Sequence, residues 1–340
     1  MQRRDFLKAA AVAGVTAATT PNMLAEAQAG AAGSTSLAMS QEMQYRPMGR
    51  TGEKISAVGL GGYHIGIQKE PAESIRLIRT AIDRGINFMD NSWDYNDGAS
   101  EERMGDALKD GYRKKVLLMT KIDGRSKQSF QSQLEDSLRR LKVDSIDLVQ
   151  FHEIIRLEDP DRIFASGGAI EAAMEAQKAG KFRYIGFTGH KDPIIHLRMF
   201  EIAKQHNFHF DTVQMPVNVM DAHFRSFTKG VIPVANEQGT AVLAMKTMAG
   251  GAILQSNTVK PLEALRYALS QPVATAIFGM NTQETLDQGF AAIKDFKPMS
   301  EVELASVLDR TREAAMTGRF ETFKTTARVD GTARRPDWLG

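Results

Sequence analysis

The chain alternates short runs of branched apolar residues with longer amphipathic stretches, and this alternation predicts its fold. Eight short runs have the length and composition of buried strands: Ala57–Leu60, Ile86–Met89, Val116–Thr120, Ile146–Phe151, Tyr184–Phe187, Thr212–Met215, Ala241–Met245 and Thr275–Phe278. In the stretches between them, apolar residues recur at intervals of three and four, which predicts helices: Pro71–Arg84, Ser100–Lys109, Ser126–Leu141, Gly168–Ala179, Pro193–His206, Ala222–Glu237, Pro261–Ser270 and Thr282–Lys294. Eight such units predict an α/β protein with a closed (β/α)8 TIM barrel over residues 43–315.

An open, doubly wound sheet is the alternative architecture. It would place a G-x-G-x-x-G turn after the first strand, and Gly59-Leu60-Gly61-Gly62 lacks that spacing. Before the first strand, Tyr45–Met48 and Ile55–Ser56 flank Gly49-Arg50-Thr51-Gly52. This pattern predicts a β-hairpin that caps the floor of the barrel. Residues 316–340 form a C-terminal tail, and the sequence leaves open whether the tail folds over the mouth of the barrel.

The N-terminus has the layout of an export signal. Arg3-Arg4-Asp5-Phe6-Leu7-Lys8 precedes a mildly apolar stretch, Ala9–Ala18, and Ala27-Gln28-Ala29 is a candidate cleavage site. The block resembles a bacterial twin-arginine (Tat) signal, although Gln2 replaces the usual Ser or Thr. The resemblance implies a signal over residues 1–29, a linker over 30–42, the Tat translocase as a partner during export, and a periplasmic location. The alternative is an amphipathic or disordered N-terminus.

Composition narrows the possible functions. The 43 Lys and Arg residues nearly balance the 41 Asp and Glu residues, and no basic stripe stands out, so nucleic acid is not an expected partner. The chain has no cysteine, which excludes disulfides, thiolate nucleophiles and iron–sulfur clusters. The histidines lack a recognisable ligand spacing, so we expect no metal. No stretch approaches the roughly 20 apolar residues of a membrane span.

Three consecutive predicted strands end on different polar residues. Asp90, Lys121 and His152 follow the second, third and fourth strands, and Tyr95 lies in the loop after Asp90. In a (β/α)8 barrel the carboxyl ends of the strands build the active site, and neighbouring strands lie about 4.8 Å apart. We therefore expect these four side chains to meet, although each residue taken alone could be an ordinary packing or surface residue.

The four side chains together suit proton transfer. A phenol has a pKa near 10, and we expect the ammonium of Lys121 to lower the pKa of Tyr95. The carboxylate of Asp90 would keep that ammonium charged and oriented. The imidazole of His152 can hydrogen-bond a substrate oxygen. Such a site could protonate the oxygen of a carbonyl group while its carbon takes up hydride.

These motifs resemble the aldo-keto reductase family. The family pattern G-x-N-F-x-D-T-A-x-x-Y matches Gly85–Tyr95, its T-K matches Thr120-Lys121, and its D-L-x-x-x-H matches Asp147–His152. The resemblance covers about residues 43–315. It implies a (β/α)8 barrel, a nicotinamide cofactor and carbonyl–alcohol interconversion. Within it Tyr95 would be the general acid and base.

The resemblance also implies residues that bind the cofactor and the substrate. The carboxamide of the nicotinamide would meet Gln214 and the segment Gly186–His190, in which Gly189 replaces the family's Asn. The expected cofactor residues are Gly61, Thr188, Gly189, His190, Gln214, Lys246, Gly250, Gly279 and Thr282. Trp93 and Phe224 are candidates for the substrate mouth. The family favours NADP, but no Lys or Arg lies from Gly279 through Ile293 to bind a 2′-phosphate, so NAD stays possible.

The expected function is therefore an NAD(P)-dependent oxidoreductase of EC 1.1.1 type that acts on an aldehyde, ketone or sugar, or on an alcohol in reverse. An exported enzyme of this kind needs a source of reduced cofactor, and a redox partner could supply it. One alternative is a nucleotide-binding sensor or assembly subunit with little turnover. A metal-dependent barrel hydrolase is disfavoured because no H-x-H spacing stands at a strand end. The substrate and the oligomeric state cannot be read from the sequence.

Overall fold

The structure is a computed structural model that describes Leu37 and residues 39–340. The expected export signal and most of the expected linker lie outside the described residues. The strands are β1 (Tyr45–Pro47), β2 (Lys54–Ser56), β3 (Val58–Leu60), β4 (Phe88–Met89), β5 (Leu117–Ile122), β6 (Ile146–Phe151), β7 (Phe182–Thr188), β8 (Thr212–Pro216), β9 (Ala241–Met245) and β10 (Thr275–Phe278).

Helices follow most of the strands. The α-helices are α1 (Gly62–Ile65), α2 (Pro71–Asp83), α3 (Ala99–Ala107), α4 (Lys127–Leu141), α5 (Asp159–Phe164), α6 (Ala169–Lys178), α7 (Pro193–Gln205), α8 (Phe227–Gly230), α9 (Ile232–Gln238), α10 (Pro261–Ser270), α11 (Gln283–Ile293), α12 (Glu301–Ala315), α13 (Thr322–Thr325) and α14 (Gly331–Arg334). Single 3₁₀ turns lie at Tyr95–Gly98, Tyr112–Lys115, Asp221–His223, Ala249–Gly251, Ile253–Ser256 and Pro336–Leu339. Among these described elements, no helix is long and apolar enough to cross a membrane.

Eight parallel strands close into a barrel in the order β10-β3-β4-β5-β6-β7-β8-β9. Each of the eight predicted strands is present, with ends that differ by at most two residues from the prediction. The (β/α)8 architecture is confirmed. In the register between β5 and β6, Lys121 lies opposite Gln150 and Ile122 lies opposite Phe151. This register brings the residues that follow the two strands to the same rim.

The predicted hairpin is formed by β1 and β2, which pair antiparallel with Tyr45 opposite Ser56. Its side chains Met48 and Ile55 are fully buried and pack with residues from the lower part of the barrel interior, including Phe88 and Leu117. Because these residues lie near the amino ends of their strands, the hairpin closes the barrel floor. The open end is therefore the rim on which the strands finish.

One predicted helix is broken in the structure. The segment Ala222–Glu237 forms a 3₁₀ turn and the two short helices α8 and α9. The carboxylate of Asp221 accepts hydrogen bonds from the backbone N–H groups of Phe227 (3.0 Å) and Thr228 (2.8 Å), and Arg225 has a φ of 43°. Side-chain acceptors that compete with the helix ladder favour such turns. Periodicity alone does not reveal this competition.

The C-terminal tail packs on the mouth of the barrel. The carboxylate of Glu153, just after β6, accepts hydrogen bonds from the backbone N–H groups of Gly331 (2.8 Å) and Thr332 (2.6 Å). Asp330 lies 2.9 Å from Nε2 of His190, after β7. At its base, the tail is anchored by Lys324, which is fully buried. The sequence left the position of the tail open, and the structure places it at the rim where the site lies.

Candidate active site

The four candidate catalytic residues meet at the carboxyl rim of the barrel. Nζ of Lys121 at the end of β5 donates to the Asp90 carboxylate, to the backbone carbonyl of Asn91 (2.6 Å) and to the hydroxyl oxygen of Tyr95 (3.1 Å). Lys121 is 1% exposed and Asp90 is 4% exposed. The ammonium is therefore held by three oxygen atoms, one of which is the phenol.

The loop that supplies Tyr95 is tied to the strands beside it. The backbone N–H of Trp93 donates to the carbonyl of Lys121 at 3.1 Å. The side chain of Asn96 donates to the carbonyl of Tyr63 and to the hydroxyl of Ser100, both at 2.9 Å. Asn96 has a φ of 54°, a left-handed conformation that Asn tolerates better than most residues. These contacts fix the phenol over the ammonium.

His152 lies on the other side of the phenol. The rings of Tyr95 and His152 are edge to face, with centroids 5.9 Å apart. Nδ1 of His152 lies 3.0 Å from the carboxylate of Asp123, which follows β5, and 3.4 Å from that of Asp94. Burial is the main cause that lowers the pKa of His152, while Asp94 works in the opposite direction. The imidazole is thus held from its Nδ1 side by acidic residues.

The electrostatics of the phenol differ from the expectation. The pKa of Tyr95 is raised well above 10, chiefly by withdrawal from water and further by the carboxylates around it, namely Asp90, Asp94, Glu153 and Asp123. The expected net lowering of the pKa of Tyr95 is therefore wrong, since its pKa shifts upward. The physical reason is that burial, together with these carboxylates, outweighs the favourable effect of the Lys121 ammonium on the phenolate. Tyr95 consequently keeps its proton at neutral pH.

A cavity of about 1540 Å³ opens above these residues. The four candidate catalytic residues line it, together with Tyr63 and His64 from the end of β3 and with residues of the tail: Arg319, Phe320, Thr322, Phe323, Arg328, Val329, Gly331, Arg334 and Trp338. The volume exceeds that of most small-ligand pockets, which hold about 300–1,000 Å³. It is large enough for an extended ligand and a second, smaller one.

Most of the expected cofactor residues also line the cavity: Gly61, Thr188, His190, Gln214, Lys246, Gly250 and Gly279. Gly189 and Thr282 do not, although the neighbouring Asn281 and Thr285 do. Gly189 packs so close to the carbonyl of Ile154 that an added Cβ would lie 2.2 Å from it. Thr282 caps α11 by accepting the backbone N–H of Thr285 at 3.1 Å.

The polar atoms around the cavity fit a nicotinamide dinucleotide. Oε1 of Gln214 is buried and has no hydrogen-bond partner among the described residues, so it can accept from a carboxamide. Lys246 lines the cavity and makes no ion pair with a carboxylate among the described residues, so it is available to a phosphate. The helix α11 begins beside the cavity, and a helix N-terminus favours anions. An added Cβ at Gly279 would lie 2.4 Å from the His64 ring, so a larger residue there would displace that ring.

The two candidate substrate residues lie away from the main cavity. Trp93 lines a separate cavity of about 150 Å³ and packs edge to face against Trp338 of the tail, with ring centroids 5.3 Å apart. The ring of Phe224 lies against Gly318, where an added Cβ would be 2.6 Å away. Both aromatic rings pack against the tail. They do not line the main cavity themselves, so they can affect a substrate only through the tail residues that they contact.

Several residues at the site carried no prediction. Asp94, Asp123 and Glu153 each lie within two residues of a candidate catalytic residue. Their positions near the ends of predicted strands could therefore have identified them as site residues. Tyr63, whose ring lies 5.5 Å from that of Tyr95, follows the first strand in the same way. The tail residues had no such signal, because their contacts join positions more than 100 residues apart, as between Glu153 and Gly331.

Comparison with known proteins agrees with this geometry. A sequence profile of the aldo/keto reductase family matches residues 57–262, more than half of the chain. The chain belongs to the aldo/keto reductase family. A second profile, of the twin-arginine translocation pathway signal sequence, matches residues 1–20, which confirms the prediction of a Tat signal. This signal indicates export by the Tat pathway.

Individual relatives show the same family. The chain is 29% identical over 229 residues to the uncharacterized oxidoreductase YrpG and 31% identical over 228 residues to the aldo-keto reductase YhdN, both of Bacillus subtilis. Each match covers 62% of this chain, and 68% and 63% of the respective relatives. The holo form of aldo-keto reductase AKR11C1 from Bacillus halodurans shares the fold, with a TM-score of 0.66 and 23% identity over 79% of this chain and 96% of that one.

This aldo/keto reductase is an oxidoreductase of the NAD(P)H-dependent class to which its family belongs. The predicted oxidoreductase function is confirmed at that level. The alternative of a sensor or assembly subunit is not favoured. A small-molecule substrate is consistent with the family.

Proposed function

We propose that the mature protein is an exported, NADP-linked carbonyl reductase of EC 1.1.1 type. It interconverts an aldehyde, ketone or sugar carbonyl with the corresponding alcohol, using Tyr95 as the general acid and base. The observation that carries the proposal is the convergence of Asp90, Lys121, Tyr95 and His152 beneath a cavity of about 1540 Å³. The nicotinamide, when bound, supplies or removes the hydride at the substrate carbon.

Tyr95 holds the proton that the substrate oxygen needs. Its raised pKa keeps the hydroxyl protonated at neutral pH, which is the form required of an acid. As the proton leaves, the phenolate that forms lies 3.1 Å from the ammonium of Lys121. A hydrogen bond from a charged donor is about twice as strong as a neutral one. Lys121 therefore stabilises the phenolate as it develops, which opposes part of the rise in the pKa of Tyr95 caused by burial and the nearby carboxylates.

Asp90 and His152 complete the arrangement. Asp90 holds the ammonium in place, within hydrogen-bond distance of the phenol. His152 lies beside the phenol and lines the same cavity, where it can hydrogen-bond the substrate oxygen and orient the carbonyl. Fixing the oxygen between a phenol and an imidazole places its carbon in one position relative to the hydride donor.

The cofactor assignment rests on the cavity and on the family. Gln214 and Thr188 would meet the carboxamide, and Lys246 and Gly250 would contact the pyrophosphate. Lys246 has no carboxylate partner among the described residues, and its pKa is lowered mainly by burial. A bound phosphate would supply the missing negative charge. Preference for NADP over NAD follows the family, in which the phosphorylated cofactor is typical.

The proposal places the reaction in the periplasm. The Tat signal supports export, and we assign residues 1–29 to the signal, 30–42 to a linker, 43–315 to the barrel and 316–340 to the tail. The Tat pathway carries folded proteins, so the cofactor can travel bound in the cavity. Continued turnover then needs a second substrate or a redox partner that restores the reduced cofactor.

One experiment tests the cofactor directly. The mature protein is purified, denatured, and the released nucleotide is identified by chromatography and mass spectrometry. We expect NADP or NADPH, or tight binding of added NADPH if the protein is purified empty. Release or preferential binding of NAD would overturn the choice of NADP. Failure to bind either nucleotide would contradict the proposed function.

A further inference from the structure

Three oxygen atoms surround one nitrogen of His152. Nδ1 lies 3.0 Å from Oδ1 of Asp123, 3.2 Å from Oγ of Ser92 and 3.4 Å from Oδ1 of Asp94. Asp123 is fully buried. Its second carboxylate oxygen has no hydrogen-bond partner among the described residues. The imidazole is therefore the principal partner of this carboxylate.

The hydrogen bonds around Nδ1 determine its protonation. Ser92 donates its hydroxyl hydrogen to Asp94 at 2.6 Å, so its oxygen can only accept from Nδ1. Ionised Asp94 and Asp123 are acceptors as well. A bare nitrogen would be repelled by these acceptors, and the Asp123 carboxylate would have no side-chain donor among the described residues. Nδ1 must therefore carry a hydrogen whenever Asp123 is ionised.

The scaffold holds this contact in register. The guanidinium of Arg125, itself 1% exposed, donates to the backbone carbonyls of Asp123 (2.6 Å), His152 (2.8 Å) and Glu153 (3.1 Å). The side-chain oxygen of Gln133 accepts the backbone N–H of Asp123 at 2.9 Å. These bonds join the residues after β5 to those after β6. The carboxylate and the imidazole are thus fixed relative to each other before any ligand binds.

We propose that Asp123 is a positioning residue that fixes the hydrogen of His152 on Nδ1 and leaves Nε2 to meet the substrate oxygen. The inference rests on the proposed function and concerns the same site. With one proton shared between Asp123 and Nδ1, Nε2 has a free lone pair and accepts the hydroxyl hydrogen of an alcohol. With a second proton, Nε2 carries a hydrogen and donates it in a hydrogen bond to a carbonyl oxygen.

The pair therefore matches the two directions of the reaction. Its two-proton form suits carbonyl reduction, and its one-proton form suits alcohol oxidation. As the pH rises, the pair loses one proton, so the preference moves from reduction towards oxidation. Burial raises the pKa of Asp123 to about 7, against the effects of Arg125 and Lys121, which places the change near neutrality. The charged and titratable groups that surround the pair are Asp94, Lys121, Arg125, Tyr95 and Glu153.

The proton position can be measured without turnover. The histidine side chains of the full mature protein are labelled with ¹⁵N, and their ring nitrogens are followed by NMR from pH 5 to pH 9. The chain has seven histidines, and the His152→Gln variant identifies the signal that belongs to residue 152. We expect Nδ1 to stay protonated at pH 9 while Nε2 loses its hydrogen. A neutral ring with bare Nδ1 and protonated Nε2 would overturn the inference.

A kinetic comparison tests the consequence. The Asp123→Asn variant lacks the negative charge, so Nε2 loses its hydrogen at a lower pH than in the native enzyme. The rate of carbonyl reduction should therefore begin to fall at a lower pH. A charge at this distance shifts such a midpoint by about one unit or more. For a shift of about one unit from a midpoint near 7, the rate of reduction relative to the native enzyme should be about fivefold lower at pH 8 than at pH 6. The control is Asp97→Asn, because Asp97 lines the same cavity without contacting His152. It should leave the pH profile unchanged.

The outcomes separate this inference from the proposed function. If no carbonyl is reduced but Nδ1 is protonated at pH 9, the proposed function fails and the assignment of Asp123 stands. If carbonyls are reduced and the rate of Asp123→Asn has the same pH dependence as the native enzyme, the assignment fails. A variant that does not fold leaves the NMR titration of the native protein as the deciding test.

Discussion

Replacing Lys121 by methionine should damage both the stability and the chemistry of this protein. Methionine has nearly the same length as lysine but no charge and no N–H donor. Lys121 is 1% exposed and holds the Asp90 carboxylate, the Asn91 carbonyl and the Tyr95 hydroxyl. The substitution leaves a buried carboxylate and a buried carbonyl without their donor. Removing one partner of a buried ion pair costs about 3–5 kcal/mol in the free energy of unfolding.

The loss should depend on pH in a defined direction. Burial already raises the pKa of Asp90, and Lys121 is the main group that opposes this rise. Without Lys121, Asp90 binds a proton more readily in the folded protein than in the unfolded chain, where its pKa is about 3.9. The folded state then holds more protons, so the free energy of unfolding falls as the pH rises above about 4. The variant should be more stable, relative to native protein, at pH 5 than at pH 8.

Urea unfolding at pH 5 and pH 8 measures this effect, with the midpoint and slope compared for each protein. The double variant Asp90→Asn/Lys121→Met is the control, since replacing both partners of a buried pair avoids the unpaired charge. We expect it to regain most of the stability and none of the activity. Equal stability of Lys121→Met and native protein, or greater relative stability at pH 8, would refute the account of the buried pair.

Two further changes test the mouth of the cavity. Glu153→Gln weakens the two backbone hydrogen bonds that hold the tail, at a cost of about 1–3 kcal/mol. Hydrogen exchange in residues 331–335 should therefore accelerate. The control is Glu158→Gln, at an exposed position nearby, which should leave that exchange unchanged. Unchanged exchange in Glu153→Gln would mean that other contacts hold the tail. Lys246→Met should weaken NADPH binding about 10- to 100-fold, which corresponds to the loss of a hydrogen bond to a charged group. The control is Lys297→Met at an exposed position, which should not weaken binding. Equal NADPH dissociation constants for Lys246→Met and native protein would show that Lys246 does not bind the phosphate.

The barrel could be predicted from the sequence because each strand is buried on both faces. Such strands are continuous apolar runs, and all eight of these runs became strands. The failures have local or long-range causes. The segment Ala222–Glu237 has helical periodicity, but Asp221 caps two of its backbone N–H groups and interrupts it. The helix α12 was not predicted, although Ser300 and Glu303 form a capping box at its start.

The site was predictable to the extent that its residues end strands. Asp90, Lys121 and His152 come together because neighbouring parallel strands finish at one rim. The pKa of Tyr95 was harder to predict from the sequence, because it depends on burial and on carboxylates from three separate loops. The position of the tail could not be predicted from the sequence pattern. The tail's contacts with Glu153 and His190 join positions that lie 178 and 140 residues apart in the chain.

The central claim is that the hydroxyl of Tyr95 is the proton donor to the substrate oxygen. Tyr95→Phe removes that hydroxyl and keeps the ring that packs against Tyr63 and His152. Single-turnover reduction of an aldehyde by the enzyme loaded with NADPH is the direct measurement. We predict a rate at least ~10²-fold lower than that of the native enzyme, with unchanged NADPH affinity. An unchanged rate would contradict the claim.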